Sequence, residues 1–504
     1  MLDSFARRNP ITALLAVALL AVALLGACST TVDDPMKALA SPDSLPVTQS
    51  RSMEQLKDDT SPEYLKTLRR VVTQVGYTPP IREEAFMQLR RKDPEGLRDA
   101  LAIALPRMQM LEWRTRVCEL IAQERMIEMT PTLINAWAVP MGGWIQKDED
   151  RPEYKALVEL HGTGKVPDVL YQAMLDSNPV TQANLRARCW ELLWKTGDRE
   201  RLVALVQDDR IKPDDGFLRD LRASAKDLGI LPRNREEILW LRSLREPSRS
   251  DFWRDCMTAT AKMSPEVRSS LELRELPVAV AASRVRPDLL AMTPASMYPL
   301  LESKVRSEGR ATYSPSFEGY SGKFTESLYM IRDELKWGDY AAMLLACDLM
   351  EQDAAVQHIF DIADRDLHDR ATEYGGVIDV DEKGRFGVHE FRPRVQGSDV
   401  RFEAPQEMFE LAYSSLFHFH NHAQEYENVR YAGPHLGDFG YADNSRANCL
   451  VFTFIDRSSL NVDFYRYGRI AVDLGTMTRP SSRRPAGRRV RRPRGPAAWR
   501  RSSC

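Results

Sequence analysis

Seven of the eight histidines lie after residue 350, and four of them fall between His418 and His435. The run Leu416-Phe-His418-Phe-His420-Asn-His422 alternates. On a strand, where side chains alternate between faces, it sets three imidazoles on one side. Imidazole suits zinc, copper, nickel and iron, and two histidines at i and i+2 can share one ion once a carboxylate joins them. Three histidines on one face therefore point to metal chemistry, either catalysis or metal binding and sensing without it. A strand that uses His-x-His for packing or solvation is the bland alternative.

The elements around this run come in a definite order. Glu373-Tyr-Gly-Gly-Val-Ile378 lies upstream, followed by a strand at Gly384-Arg-Phe-Gly-Val-His-Glu-Phe391. Val400-Arg-Phe-Glu-Ala-Pro405 leads into a helix over 406–413. After the histidines come Ala432-Gly-Pro-His-Leu-Gly-Asp438, a helix through Ala442, and strands at 449–455 and 460–465. From about Leu335 to Leu474 this order resembles the JAB/MPN metalloprotease domain. That family's JAMM motif places a glutamate on an early strand, His-x-His after a central strand, and Ser-x-x-Asp on the next helix.

The resemblance implies an α/β domain with a mixed sheet over residues 330–476, a zinc cofactor, and hydrolysis of a peptide or isopeptide bond. Carried over, Glu373 becomes the general base, two of His418, His420 and His422 become neutral ligands, and Asp438 becomes the anionic ligand. His420-Asn-His422-Ala fits the family pattern better than His418-Phe-His420-Asn, because its middle residue is small and polar; His418 stays a candidate. Three protein ligands leave a fourth zinc position for water, whose pKa falls to about 7, and Glu373 would move that water's proton. This chain departs from the pattern in three ways. His435 stands where the family has serine, Ala423 where it has proline, and the segment from His422 to Asp438 is longer than usual. A histidine at 435 could donate to an oxyanion, add a ligand, or mark an inactive relative.

Other acids and histidines read differently. Asp379, Asp381 and Glu382 beside Lys383-Gly384 look like a solvated hairpin turn. Asp443 is a fallback ligand, while His358 and His368 belong to the surface or packing of a charged helix.

Residues 61–310 are helical in pattern. Asp93-Pro94 is a cap followed by a first-turn proline, with Leu97, Leu101, Ala104 and Leu105 at helical spacing. Trp113, Val117, Leu120 and Ile121 repeat the template, as do Leu185, Cys189, Leu192 and Leu193, and Thr130-Pro131 and Asn178-Pro179 supply further starts. Trp113–Ile121 also lies over Leu185–Leu193 residue for residue, and two units of about 36 residues fit an α-solenoid. The stretch resembles HEAT-type repeats; a non-repetitive helical domain is the alternative. Either presents a surface for a protein or peptide partner, and nothing catalytic stands out around its one histidine, His161. Gly- and Ser-rich chemistry over 306–325 marks a boundary.

The N-terminus carries Arg7 and Arg8, an apolar run from Ile11 to Leu25, and Leu25-Gly-Ala-Cys28. This reads as a signal peptide over residues 1–27, and its end resembles the bacterial lipobox, which implies lipidation of Cys28. Several acyl chains on one residue anchor stably to a membrane. Ser29 in place of aspartate favours the periplasmic face of the outer membrane. Residues 28–60, rich in Asp, Ser, Thr and Pro, read as a flexible tether. The cysteines from Cys118 to Cys504 are widely spaced, without a Cys-x-x-Cys pair, and are expected mostly as buried thiols.

A composition of 43% hydrophobic and 28% charged residues excludes wholesale disorder and suits two or three domains. From Arg479 onward the chain holds ten arginines and no lysine, so the body without them stands near −12 although the formal net charge is −2. Residues 477–504 read as a disordered arginine-rich tail, of the composition that GC-rich DNA gives out of frame, and no nucleic-acid partner is assigned to it. The expectation is an all-α, solenoid-like region followed by an α/β domain in a lipid-anchored envelope protein. Its function is zinc-dependent hydrolysis or, in the alternative, a noncatalytic protein-binding scaffold.

Overall fold

The computed structural model describes residues 31–139, 147–197, 199–208, 215–307, 310–316, 325–392 and 402–481. Cys28 with its leader, and the arginine-rich tail beyond Ser481, lie outside the described residues. The chain divides into two compact units, Met1–Arg199 and Glu200–Cys504.

The first unit is helical. Pro35, Pro46, Pro62, Pro79 and Pro94 each open a helix, a position where the missing N–H costs nothing. Side-chain oxygens of Asp34, Ser61 and Asp93 accept from the amides of Lys37, Tyr64 and Gly96 and cap three of these helices. Residues 31–60 are therefore not a flexible tether. Helices Pro35–Ala40 and Pro46–Gln55 form there, Leu39 and Met53 are buried, and the Leu39 carbonyl accepts from the Tyr77 hydroxyl at 3.0 Å. Two apolar anchors and a capped start outweigh the polar composition.

The likeness between the Leu111–Gln123 and Ala183–Thr196 helices extends to their interior. Arg114 and Arg186, which occupy matching places, are both buried. Arg114 donates to the Ala136 carbonyl at 2.7 Å and pairs with buried Glu153; Arg186 donates to the Met174 carbonyl at 3.2 Å. Each guanidinium thus serves the last turn of a neighbouring helix, where carbonyls lack intrahelical partners. Asn178-Pro179 is a turn, its Oδ1 accepting from Val180 and Thr181, and the next helix starts only at Ala183.

The second unit gathers the helices from Gly216 to Val305 together with the sheet, so the stretch 61–310 is shared between the two units. Helices Leu276–Val285 and Trp337–Leu349 are buried on nearly every side, as an all-round apolar helix must be. The sheet has strands β1 Gly375–Val380, β2 Phe386–Phe391, β3 Phe417–His422, β4 Cys449–Asp456, β5 Ser459–Arg466 and β6 Ile470–Thr478. Their order is β2-β1-β3-β4-β5-β6. The β3–β4 pair is parallel and the other pairs antiparallel, so an all-α region is followed by an α/β domain with a mixed sheet. Parallel neighbours need a long crossover, and residues 423–448 provide it, including helix Leu436–Ser445.

The β1–β2 connection is the expected solvated turn. Asp381 Oδ1 accepts from the Lys383 and Arg385 amides at 2.9 Å, and Gly384 takes φ +74°. β6 carries the fold past Leu474 into the stretch read as tail: Arg479 donates to both oxygens of Asp364 at 2.8 and 2.9 Å and lies over Phe360.

A buried ion network joins helices to sheet. Arg274 meets Glu272 at 2.8 Å, Asp339 at 3.0 Å and the Asn448 side chain, while Arg466 donates to Asp339 at 2.7 and 2.9 Å. The Asn448 carbonyl accepts the His418 amide at 2.9 Å, so this network sets where β3 begins beside β4. Cys118, Cys189, Cys256, Cys347 and Cys449 are buried free thiols. Among the described residues no helix is long and apolar enough to cross a membrane.

Candidate metal centre

β3 is buried along its whole length, and its alternation sends His418, His420 and His422 to one face while Phe417, Phe419 and Asn421 take the other. β1 pairs antiparallel with β3 with Gly375 opposite His420. Continuing that register by two residues sets Glu373 opposite His422, and their side chains stand 3.9 Å apart, both buried. The crossover returns over the same face. His435 precedes helix Leu436–Ser445, and Asp438 in its first turn accepts the His435 amide at 2.6 Å. The cap fixes the Asp438 carboxylate, leaving Oδ1 3.3 Å from His420 Nε2 and Oδ2 3.8 Å from His422 Nε2.

The Nε2 atoms of His420 and His422 are 3.2 Å apart. His422 Nδ1 lies 2.8 Å from the Tyr431 carbonyl, which can only accept, so Nδ1 carries the proton and neutral His422 turns a bare Nε2 lone pair inward. Tyr465 Oη lies 3.4 Å from His420 Nδ1. The His435 ring stacks on His422 with centroids 4.7 Å apart. Donor atoms of Glu373, His420 and His422 form one compact group, and those of His422, His435 and Asp438 a second that shares His422.

Electrostatics divide the two central histidines. Burial works against charge on His420, but Asp438 beside it, helped by Glu373, outweighs burial and raises its pKa to about 9. Burial, reinforced by His420, lowers His422 to about 3. Burial likewise works against charge on Asp438, yet His420 overrides it and holds the carboxyl well below the usual range. Both carboxylates thus favour positive charge at His420, which lies between His422 and Asp438.

His418 stands apart although it shares the face. Its Nε2 meets the Ala412 carbonyl at 3.2 Å and its Nδ1 the Tyr441 hydroxyl at 2.7 Å, so both ring nitrogens are engaged. Burial lowers its pKa to about 4. Helix Gln406–Ala412, packed over Val377 through Met408 and Ala412, brings that carbonyl in. Asp443 accepts the Gly468 amide at 3.2 Å and lies outside the cluster, and His358 and His368 are exposed.

Sequence reasoning did not find Tyr431, Tyr441 or Tyr465. Tyr465 had a faint signal in the β5 alternation, but its partner depends on a register two strands away from His420. Comparison with protein-family models, with curated proteins and with solved structures gives no match to this chain.

Proposed function

We propose that the chain is a zinc-dependent hydrolase of a peptide or isopeptide bond, of the JAB/MPN type, held at the cell envelope by lipid on Cys28. One observation carries this reading. The Nε2 atoms of His420 and His422 stand 3.2 Å apart, near the roughly 3.4 Å between corners of a tetrahedron with bonds of about 2.1 Å, and the two Asp438 oxygens stand beside them, Oδ1 3.3 Å from His420 and Oδ2 3.8 Å from His422. Two imidazoles and a carboxylate suit zinc in kind as well as in spacing.

When bound, zinc lowers the pKa of water towards neutrality and polarises a carbonyl. The chain's own residues supply the rest. Asp438 and the two histidines orient the site, the Tyr431 carbonyl holds the His422 tautomer, and burial keeps bulk water away. Glu373, within 3.9 Å of His422, accepts the proton of an attacking water and returns it to the leaving amine. At the envelope, cell-wall peptides and envelope proteins are the substrates within reach, and the helical repeats of the first unit offer a partner surface.

A second reading is favoured by His435, whose donor atom groups with those of His422 and Asp438. As a fourth ligand it would close the site and make it a metal-binding module without hydrolysis. Metal analysis with peptide-hydrolysis assays on the purified protein, Glu373→Gln and His435→Ala decides between them. Hydrolysis that falls about 10²–10⁴-fold in Glu373→Gln with metal retained supports the enzyme. No hydrolysis in the wild type, with metal weakened by His435→Ala, supports the closed site.

A further inference from the structure

The face of the sheet that carries the histidines holds a second buried polar group. By register Val451 and Asp463 continue the row of His420, and Thr453 and Asn461 that of His422. Asp473 on β6 stands opposite Asp463. Two strand spacings, about 9–10 Å, separate this group from the metal centre. Asp463 and Asn461 are fully buried, Asp473 is 5% exposed, and Glu326 joins them at 9%.

Three carboxylates are gathered here, close enough to feel one another's charge though their oxygens do not all come within 4.8 Å of one another, and among the described residues no lysine, arginine or histidine forms an ion pair with any of them. The donors present are few. Asn461 Nδ2 donates to Asp463 Oδ2 at 2.7 Å, and the Tyr313 and Gly475 amides donate to Asp473 at 2.6 and 2.7 Å. Ser314 and the Gly433 amide contribute to Glu326 and Asp463. Among the described residues four oxygens find no hydrogen-bond partner and are sealed from solvent: Asp463 Oδ1, Glu326 Oε1, Asn461 Oδ1 and Thr453 Oγ1. Gly433, at φ +87°, brings its backbone so close that a Cβ would fall 2.1 Å from Glu326 Oε1. Burial, helped by the Asp473 charge, raises Glu326 to about 7, and burial raises Asp473 to about 6.

Burying anionic carboxylates without a countercharge is unfavourable, and a buried amide oxygen with no donor adds to that cost. One kind of ligand removes both penalties. We propose that Asp463, Glu326 and Asn461, with Asp473 supplying further charge, form a second site for a hard divalent cation of the calcium or magnesium class. All-oxygen donors, two or three of them anionic and one an amide carbonyl, are what such ions take, with water completing six to eight positions. The site is distinct in chemistry from the histidine centre, and the proposal does not depend on that centre being catalytic. It has a structural consequence. The cation would hold Gly433, within the crossover, two residues after the Tyr431 carbonyl that fixes His422 and two before His435.

The test uses the full protein, stripped with a chelator and titrated at pH 7.5 with calcium, magnesium or manganese chloride. Thermal unfolding and equilibrium dialysis provide the readouts. We expect a saturating upward shift in Tm and about one ion bound per chain for at least one of the three. That response disappears in Asp463→Asn and persists in His420→Ala/His422→Ala. Glu326→Gln, at the rim of the group, serves if Asp463→Asn does not fold. The proposal is overturned by a wild-type protein that neither binds nor responds to any of the three ions, the outcome of a group that shares protons instead. An equal response in the carboxylate variants would overturn it as well.

Discussion

The Nε2 atoms of His420 and His422 face each other across 3.2 Å, with Asp438 3.3 Å from the first. At that spacing one proton or one cation serves three donors. The purified protein is expected to carry about one zinc per chain by mass spectrometry, and His420→Ala/His422→Ala to carry almost none. Full occupancy in the double variant would remove the centre from consideration.

His418 gives the matching negative control. Its ring links Tyr441 to the Ala412 carbonyl, so His418→Phe should leave the metal content unchanged. It orphans two buried polar groups, which costs about 1–3 kcal/mol each. Urea denaturation measures that loss, and a drop in bound metal would show that the strand uses this histidine after all.

Arg274 is buried among Glu272, Glu275 and Asp339. Arg274→Met strands those carboxylates in the interior, and breaking such a network by removing one partner costs about 3–5 kcal/mol. Because Asn448 couples it to the β3–β4 start, the variant should also bind metal more weakly. A change below about 1 kcal/mol would mean that water reaches the network.

Glu237 makes stability depend on pH. It is buried, accepts the Arg233 amide at 2.7 Å, and sits near the Glu272 charge, with Arg233 and Arg274 as the nearest cations. Burial first and Glu272 second raise it from 4.5 to about 7. The folded state therefore holds its proton more tightly than the unfolded chain. The stability this confers is complete below about pH 4.5 and is lost as the pH rises through about 7. Unfolding free energy between pH 5 and 7 should fall by up to about 1.4 kcal/mol per pH unit from this group, and Glu237→Gln should flatten that slope.

The parts of the fold legible in the sequence are those with a local period. The alternation of Leu416–His422, the cap at Asp93-Pro94 and the turn at Asp381–Gly384 depend on neighbours in the chain, and the structure has them where the pattern lies. The small polar Asn421 already pointed to His420 and His422 over His418, but the contacts that engage both nitrogens of His418 were not legible, because Ala412 and Tyr441 arrive from separate helices. Residues 31–60 misled because two buried side chains, Leu39 and Met53, decide the matter against a polar majority. β6 was obscured by the arginines that follow it and by the irregular pairing between Asn461 and Asp463. The helices from Gly216 to Val305 have the same period as those before Arg199, and only tertiary contacts assign them to the sheet.

The parallel pairing of β3 with β4 has a consequence for the order of assembly. Antiparallel neighbours such as β4, β5 and β6 can zip from their turns, but a parallel pair must wait for its intervening segment to close, and non-local closure is the slow kind. Tyr431, His435 and Asp438 all ride on that segment, whereas His420 and His422 lie on β3 and Glu373 just before β1, two strands that pair antiparallel without it. A donor set that includes Asp438 or His435 is therefore incomplete in any intermediate in which the antiparallel pairs alone have formed, and the closing of the crossover would complete it.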